Sequence, residues 1–133
     1  MDLKKALDNI NVKADWIGLR EVKESTTYRI IRDSNPESNS TTMDHGVMVE
    51  VLVDGQFGYF AVNDISYDSI QYAADNAFTQ AKNASKYSVH SFTEEVRPKS
   101  VGEYQSPYKI KDIPLDSLMD TLVESNKLLK GSK

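Results

Sequence analysis

Residues 46–64 read GVMVEVLVDGQFGYFAVND and contain the strongest fold signal in the chain. Asp54-Gly55 stands between two runs rich in β-branched and aromatic residues. This dipeptide favours a two-residue turn in which both central residues have positive φ. The stretch therefore predicts a β-hairpin in which Val53 lies opposite Gln56 and Val49 lies opposite Phe60.

The residues of this hairpin divide between two faces, because side chains alternate along a strand. One face carries only apolar residues and glycine: Val47, Val49, Val51, Val53, Gly58, Phe60 and Val62. The other face is half apolar and carries Met48, Glu50, Leu52, Phe57, Tyr59 and Ala61. We therefore expect the first face to form the core and the sheet to be covered, at least partly, on both sides.

The composition is typical of one globular domain, with 133 residues of which 39% are hydrophobic and 27% charged. The chain has no cysteine, which excludes disulfides and thiolate metal sites. No apolar run reaches the roughly 18 residues of a membrane-spanning helix, and the first residues lack the apolar segment of a signal peptide. We expect a cytoplasmic protein with no membrane partner. The net charge of -4 and the absence of a basic stripe argue against nucleic-acid binding.

The region before this hairpin predicts a short helix and a second hairpin. Asp2 is expected to cap a helix whose apolar stripe is Leu3, Ala6, Leu7 and Ile10. Trp16–Glu24 and Thr27–Arg32 then predict two strands joined tightly at Ser25-Thr26. Residues 33–45 are rich in Ser, Asn, Asp and Thr, and predict a loop, with the alternative of a short edge strand near Ser40–Met43.

The region after the hairpin predicts a longer helix over about Tyr67 to Ala84, capped by Asn63-Asp64 or by Ser66. Its apolar stripe is rich in small residues: Ile70, Ala73, Ala74, Ala77, Phe78 and Ala81. Four alanines on this stripe are expected to let the helix lie close against a sheet. Lys86–Lys99 predicts an exit strand or an extended segment.

The last part of the chain predicts a linker and a terminal helix. Two prolines and a glycine in residues 101–114 discourage regular structure. Asp112 is expected to cap the helix, with Pro114 in its first turn and Gly131 at its end. The predicted organisation is an α+β domain over residues 1–100, with a twisted, mainly antiparallel or mixed sheet built from hairpins and helices packed on it. Residues 101–133 are the linker and helix, whose apolar stripe is expected to fold back, to dimerise, or to begin a second unit beyond this chain.

The residues alone predict no catalytic, cofactor-binding or metal-binding site. His45 and His90 have no ligand partner at helical spacing, so we expect both on the surface or at a hairpin edge. Glu94 and Glu95 are adjacent and would point to opposite sides of a strand, which does not suit a shared proton. The serines of residues 34–42 have no glycine-flanked elbow that would make one of them a nucleophile.

The segment His45–Asp64 resembles the N-terminal domain of the TldD/PmbA family of metallopeptidases, also called the modulator of DNA gyrase family. The family's usual form is similar to Gly-Val-x-Val-Arg-Val-Leu-Val-Asp-Gly-x-Trp-Gly-Phe-Ala-Ala-Thr-Asn-Asp. Ala14-Asp15-Trp16 and Glu24-Ser25-Thr26 add to the likeness, as does the passage from Val101–Pro107 into the terminal helix. The resemblance extends over nearly the whole chain.

The resemblance implies that this chain is part of a hydrolase that works in proteolysis. It also implies that the catalytic residues lie outside this chain. Family members bind zinc on a His-Glu-x-x-x-His helix beyond the first ~130 positions, a motif that this sequence does not contain. We therefore expect no cofactor in this chain, and an inactive chain on its own. The expected partners are a peptide substrate and a second related subunit, in a homodimer or heterodimer, to which the chain contributes a groove wall and an interface. The alternative is a stand-alone, non-catalytic interaction or dimerisation module.

Overall fold

The computed structural model describes residues 1–107 and 113–131 and contains three α-helices and three β-strands. The helices are α1 (Leu3–Asn9), α2 (Tyr67–Ser85) and α3 (Leu115–Lys130), and Glu94–Val96 forms one 3-10 turn. The strands are β1 (Trp16–Arg32), β2 (Asn35–Val53) and β3 (Gln56–Val62), which form one antiparallel sheet in the order β1-β2-β3. The predicted α+β class is confirmed.

The predicted Asp54-Gly55 hairpin is confirmed in its turn and in its register. Asp54 has a φ of 49° and Gly55 a φ of 75°, as a two-residue hairpin turn with both residues left-handed requires. Val53 lies opposite Gln56, and the pairing continues in register to Val47 opposite Val62.

The core lies on the first face of this hairpin, under α1 and α2. Its buried residues come from the β2 valines and from the small-residue stripe of α2: Ala6, Val47, Val49, Val51, Val53, Ile70, Ala73, Ala74, Ala77 and Ala81. Gly58 shows how closely α2 approaches the sheet, since a Cβ at this position would lie 2.8 Å from the backbone nitrogen of Ala81 and would overlap the carbonyl oxygen of Ala77. The predicted close packing of the alanine stripe is confirmed.

Both helix caps in this region follow from the sequence. The Asp2 carboxylate accepts a hydrogen bond from the backbone N–H of Lys5, which starts α1. Ser66 caps α2 and accepts from the N–H of Ser69. The Asp64 carboxylate accepts from both serine hydroxyls, and these two hydrogen bonds hold the pKa of Asp64 below its ordinary value.

The prediction of a turn at Ser25-Thr26 was wrong, because β1 continues without interruption for 17 residues. The predicted loop over residues 33–45 was wrong as well, because β2 begins at Asn35. The turn that joins these strands is Asp33-Ser34, where both residues have positive φ. Serine and threonine favour turns only weakly, and ladder hydrogen bonds outweigh that preference. Across the ladder, the hydroxyls of Thr27 and Thr41 lie 3.0 Å apart.

Two further expectations concern the second half of the chain. Lys86–Lys99 contains no strand, and its extended residues are interrupted by the 3-10 turn. α3 begins at Leu115 with Pro114 at its N-cap and Gly131 at its C-cap. The predicted cap Asp112 lies outside the described residues.

The chain divides into two compact units. Unit 1 comprises Met1–Glu24 and Asp44–Ser100, and unit 2 comprises Ser25–Met43 and Val101–Lys133. Unit 1 holds the buried core described above. None of the helices in the described part of the chain has the length and apolar character needed to cross a membrane.

Candidate functional site

An aromatic cluster occupies the second face of the β2–β3 hairpin in unit 1. The ring of Phe57 lies 6.2 Å from Trp16, 6.3 Å from Tyr59 and 5.7 Å from Phe92, measured between centroids. Leu52, on the same face, is only 2% exposed. The second face is therefore partly covered, as its apolar residues predicted, and the cover includes Phe92 from the segment after α2.

A charged pair closes this cluster. The Nε of Arg97 donates to Oε1 of Glu50 over 3.0 Å, and the guanidinium carbon lies 5.2 Å from the centre of the Phe57 ring. The Glu50 side chain is only 13% exposed, so its carboxylate needs the partner that Arg97 supplies. We call Trp16, Glu50, Phe57, Tyr59, Phe92 and Arg97 the back-face cluster.

Two groups of the back-face cluster, Tyr59 and Arg97, keep their protons at neutral pH. Burial, with the nearby Glu50 carboxylate adding to it, raises the pKa of Tyr59 above its ordinary 10.0. The hydrogen bond to Glu50 raises the pKa of Arg97 further, so the guanidinium stays charged. A phenol and a guanidinium that both remain protonated supply hydrogen bonds, but no general base.

The segment between α2 and Arg97 is held to the hairpin turn by Gln56. The side-chain amide of Gln56 donates to Oγ of Ser88 over 2.6 Å and also to the carbonyl of His90. The backbone N–H of Phe92 donates to the carbonyl of Gly55 over 2.8 Å. We call residues 86–97 the strap, because these contacts and Arg97 fasten it across the second face of the hairpin.

A shallow cavity of about 260 Å³ lies between the strap and the hairpin turn. Its lining is mostly polar and consists of Asp54, Gln56, Ser85, Ser88, Val89, His90 and Ser91. Asp54 forms an ion pair of 2.5 Å with Lys82 at its border. His90 stacks edge-on against Phe92, with 4.6 Å between ring centres. The Ser88 hydroxyl donates to the carbonyl of His90 and accepts from the backbone N–H of His90.

The residues considered for chemistry lie apart from one another. His45 is exposed and its Nε2 lies 2.7 Å from Oε1 of Glu21 on the neighbouring strand. His90 is exposed in the strap, and Glu94 and Glu95 lie in the 3-10 turn. Within residues 1–107 and 113–131, no three His, Cys, Asp or Glu side chains come together in a way that would hold a metal ion.

The two edges of the sheet differ. On β3, the backbone N–H of Tyr59 donates to the side chain of Gln80 on α2, 3.4 Å away. No further strand lies outside β1 in the described sheet. The part of β1 in unit 1 ends with Arg20-Glu21-Val22-Lys23-Glu24, in which four side chains are exposed and Glu21 is half-buried.

Sequence reasoning missed the strap and its anchor Arg97. The signal that pointed to it was Glu50, an acidic residue on an otherwise largely apolar hairpin face. A carboxylate in that setting needs a cation. Which of the sixteen Lys and Arg residues would supply it depends on the path of the strap, which has no regular periodicity.

Comparison with known families gives one finding. Residues 19–81 match the family model described as PmbA/TldA metallopeptidase domain 1. Over these residues the chain is similar to the first domain of the PmbA/TldA family. The matched residues run from β1 through the two hairpins to the alanine stripe of α2, and so include all of the buried core of unit 1 except Ala6, and the hairpin of unit 2. Comparisons with curated proteins and with solved structures found no match.

The PmbA/TldA match confirms the resemblance seen in the sequence. It covers the sheet and α2, whereas most of the strap and all of α3 lie after it. The chain is therefore a module related to the first domain of this family.

Proposed function

We propose that this chain is a non-catalytic portion of a cytoplasmic zinc metallopeptidase of the PmbA/TldA type. In that enzyme it contributes a wall of the groove that receives unfolded or precursor peptides, and part of the interface with a second related subunit. The observation that carries the proposal is the match of residues 19–81 to the first domain of the family. The sequence, which contains no His-Glu-x-x-x-His motif, is consistent with a scaffold role.

The open edge of β1 supports a role in pairing with an extended segment, either of a peptide or of a second subunit. An edge strand presents unpaired backbone N–H and C=O groups, which form hydrogen bonds with any extended segment that lies beside them. In the described sheet β1 is such an edge, whereas α2 contributes Gln80 to the edge of β3. Backbone pairing is largely independent of sequence, which suits a peptidase that accepts unfolded peptides.

The acidic character of the chain supports a peptide rather than a nucleic acid as the ligand. A net charge of -4 disfavours the phosphate contacts that dominate affinity for nucleic acids. We accordingly expect no binding of duplex DNA at physiological salt, despite the family's older name.

Metal analysis and a peptidase assay test the catalytic part of the proposal. The purified chain is expected to hold no zinc in stoichiometric amount after dialysis and to hydrolyse no unfolded peptide. A result of about one tightly held zinc per chain would contradict the proposal, because such affinity requires a preformed set of ligands.

Photo-crosslinking tests the groove wall. An unfolded peptide with a photo-reactive group, added to a complete enzyme that contains this chain, is expected to label Trp16–Arg32 or Gly46–Val62. A folded protein with the same photo-reactive group is the control, since it offers no extended segment. Labelling confined to other segments would show that this module is not part of the groove.

A stand-alone association module is the second candidate, and α3 favours it. Leu129 is 75% exposed and Leu115 is 45% exposed, although both belong to the apolar stripe of the helix. Association through α3 predicts that Leu129→Lys makes a dimeric chain monomeric. Sedimentation velocity on this variant and on Glu124→Lys, an exposed polar position of the same helix, separates the two candidates.

A further inference from the structure

The order of charges at the edge of β1 is self-complementary. Arg20-Glu21-Val22-Lys23-Glu24 reads basic, acidic, apolar, basic, acidic. When this segment is laid antiparallel to a copy of itself with Val22 opposite Val22, Arg20 comes opposite Glu24 and Glu21 comes opposite Lys23. Four attractive cross-strand pairs then surround one apolar pair, and directly opposite residues are the ones that interact most strongly across two strands.

The backbone limits the other registers. A two-fold axis between two antiparallel strands passes either through one residue or between two neighbours. The backbone N–H and C=O groups of successive residues point alternately to the two sides of a strand. In β1, if these groups of one residue point toward β2, those of the next residue point outward to the open edge. An axis between neighbours would pair an outward residue with an inward one, and is excluded.

Charge then selects among the axes that remain. An axis at Arg20, Glu21, Lys23 or Glu24 places a residue directly opposite a like charge, its own copy. Within Arg20–Glu24, only the axis at Val22 places an uncharged residue opposite itself. Val22 is also 44% exposed, so its side chain is open to a neighbour.

We propose that the β1 edge of unit 1 is the interface between two copies of this chain, paired antiparallel with the two-fold axis at Val22. The inference deepens the subunit interface of the proposed function and rests on it for its biological setting. Charges on an edge strand ordinarily discourage pairing, whereas this arrangement gives four attractive pairs when the axis is at Val22 and places like charges together when it is at one of the four charged neighbours. Glu21 keeps its contact with His45 in this arrangement, since a carboxylate accepts from more than one donor.

A cysteine at the axis tests the register, and the chain has no other cysteine. Directly opposite residues have Cβ atoms about 4.5–5.5 Å apart, close to what a disulfide requires. Under mild oxidation Val22→Cys is therefore expected to form a covalent dimer. The control is Ser25→Cys, an exposed position of the same strand, whose copy would lie about 20 Å away. Equal crosslinking of the two variants, or none for Val22→Cys, would overturn the proposal.

Charge exchange tests the pairs without a crosslink. Arg20→Glu turns both Arg20–Glu24 pairs into like-charge pairs and is expected to weaken the dimer by about tenfold or more in sedimentation equilibrium. The double variant Arg20→Glu with Glu24→Arg restores opposite charges and is expected to return to within about threefold of the unmodified chain. Circular dichroism confirms that each variant is folded.

The other possible occupants give different results. A monomer at all concentrations would show that the charges only protect the edge. A dimer that survives Arg20→Glu but is lost with Leu129→Lys would place the interface on α3. Val22→Cys that stays monomeric but crosslinks to an unfolded peptide carrying one cysteine would assign the edge to substrate. Each of these outcomes overturns the pairing of two copies. The zinc and peptidase assays test the proposed function separately, because this association needs neither metal nor substrate.

Discussion

The two hairpin turns of this protein have the same backbone and different supports. Asp54-Gly55 and Asp33-Ser34 both consist of two residues with positive φ, at 49° and 75° in the first and 51° and 65° in the second. Glycine adopts this conformation without a steric penalty, whereas serine has a Cβ that crowds the following carbonyl. The second turn therefore depends more on contacts from outside the turn, and needs more help, than the first.

That help comes from α3, within unit 2. The Asn126 side-chain oxygen accepts from the backbone N–H of Ser34 over 2.8 Å and from its hydroxyl over 3.3 Å. Lys130 forms an ion pair of 2.9 Å with Asp33.

The first turn has similar contacts, since Asp15 Oδ2 accepts from the N–H of Asp54 over 3.2 Å and Lys82 pairs with Asp54. The comparison teaches that a glycine removes the strain of a left-handed turn, whereas a serine leaves that strain to be offset by such contacts.

The largest effect is expected where the first hairpin meets its helix. Gly58→Ala adds a methyl group that overlaps the backbone of α2, and this overpacking is expected to lower the free energy of unfolding by about 2–3 kcal/mol. Urea denaturation followed by circular dichroism measures the change. The control is Gly102→Ala, where an added Cβ meets nothing within 4 Å, and its stability should equal that of the unmodified chain.

A smaller loss is expected in the first turn itself. Gly55→Ala forces an alanine into the left-handed region and is expected to cost about 1–2 kcal/mol in the free energy of unfolding. Gly55→Asn should cost less, because asparagine tolerates this region. If the two variants have the same stability, the positive φ of Gly55 is not the reason why a substitution there lowers the free energy of unfolding.

Removing one contact between α3 and the second turn is expected to cost less stability than the glycine substitutions in the first hairpin. Asn126→Ala removes the acceptor of the Ser34 N–H, a partly buried hydrogen bond, and is expected to lower stability by about 1 kcal/mol. Hydrogen exchange at the Ser34 amide should quicken in this variant. Glu124→Ala on the same helix is the control, and an equal change there would mean that the effect belongs to the helix and not to the turn.

The smallest effect concerns the ion pair of the second turn. The hydrogen bond and charge of Lys130 hold the pKa of Asp33 below its ordinary 3.8. A carboxylate whose pKa is depressed by folding stabilises the folded state above the unfolded pKa, and this contribution is lost as the pH falls through the folded pKa.

An NMR titration of the Asp33 carboxyl measures this difference. In Lys130→Ala the pKa of Asp33 is expected to rise back toward its ordinary value, whereas Lys127→Ala, one turn earlier in α3, should leave it low. A pKa of Asp33 that is the same in all three chains would remove Lys130 from the support of the turn.

The sequence predicted most of what local physical chemistry determines. The Asp54-Gly55 turn, the faces of its hairpin and the α2 stripe follow from turn geometry and from the spacing of valines and alanines. Asp33-Ser34 was missed because its support, Asn126 and Lys130, is more than ninety residues away in sequence. Without that turn, the polar residues at the start of β2 were interpreted as a loop.

The back-face cluster shows the same limit at the candidate site. Glu50 stood out on its hairpin face, and the family match of residues 19–81 could be anticipated from the stretch that contains it. The position of Arg97 could not be anticipated, because the apolar residues of the strap follow neither a helical nor a strand period. Its position is fixed by tertiary contacts of Gln56 and Gly55.

The composition of the core bears on how the chain folds. All of the buried core except Ala6 comes from Val47 to Ala81, a continuous segment in which β2, β3 and α2 follow one another. Contacts between near neighbours in sequence close short loops, which costs little chain entropy and allows fast folding. This segment contains everything needed to form a folding nucleus, and α1 and the strap can add to it afterwards.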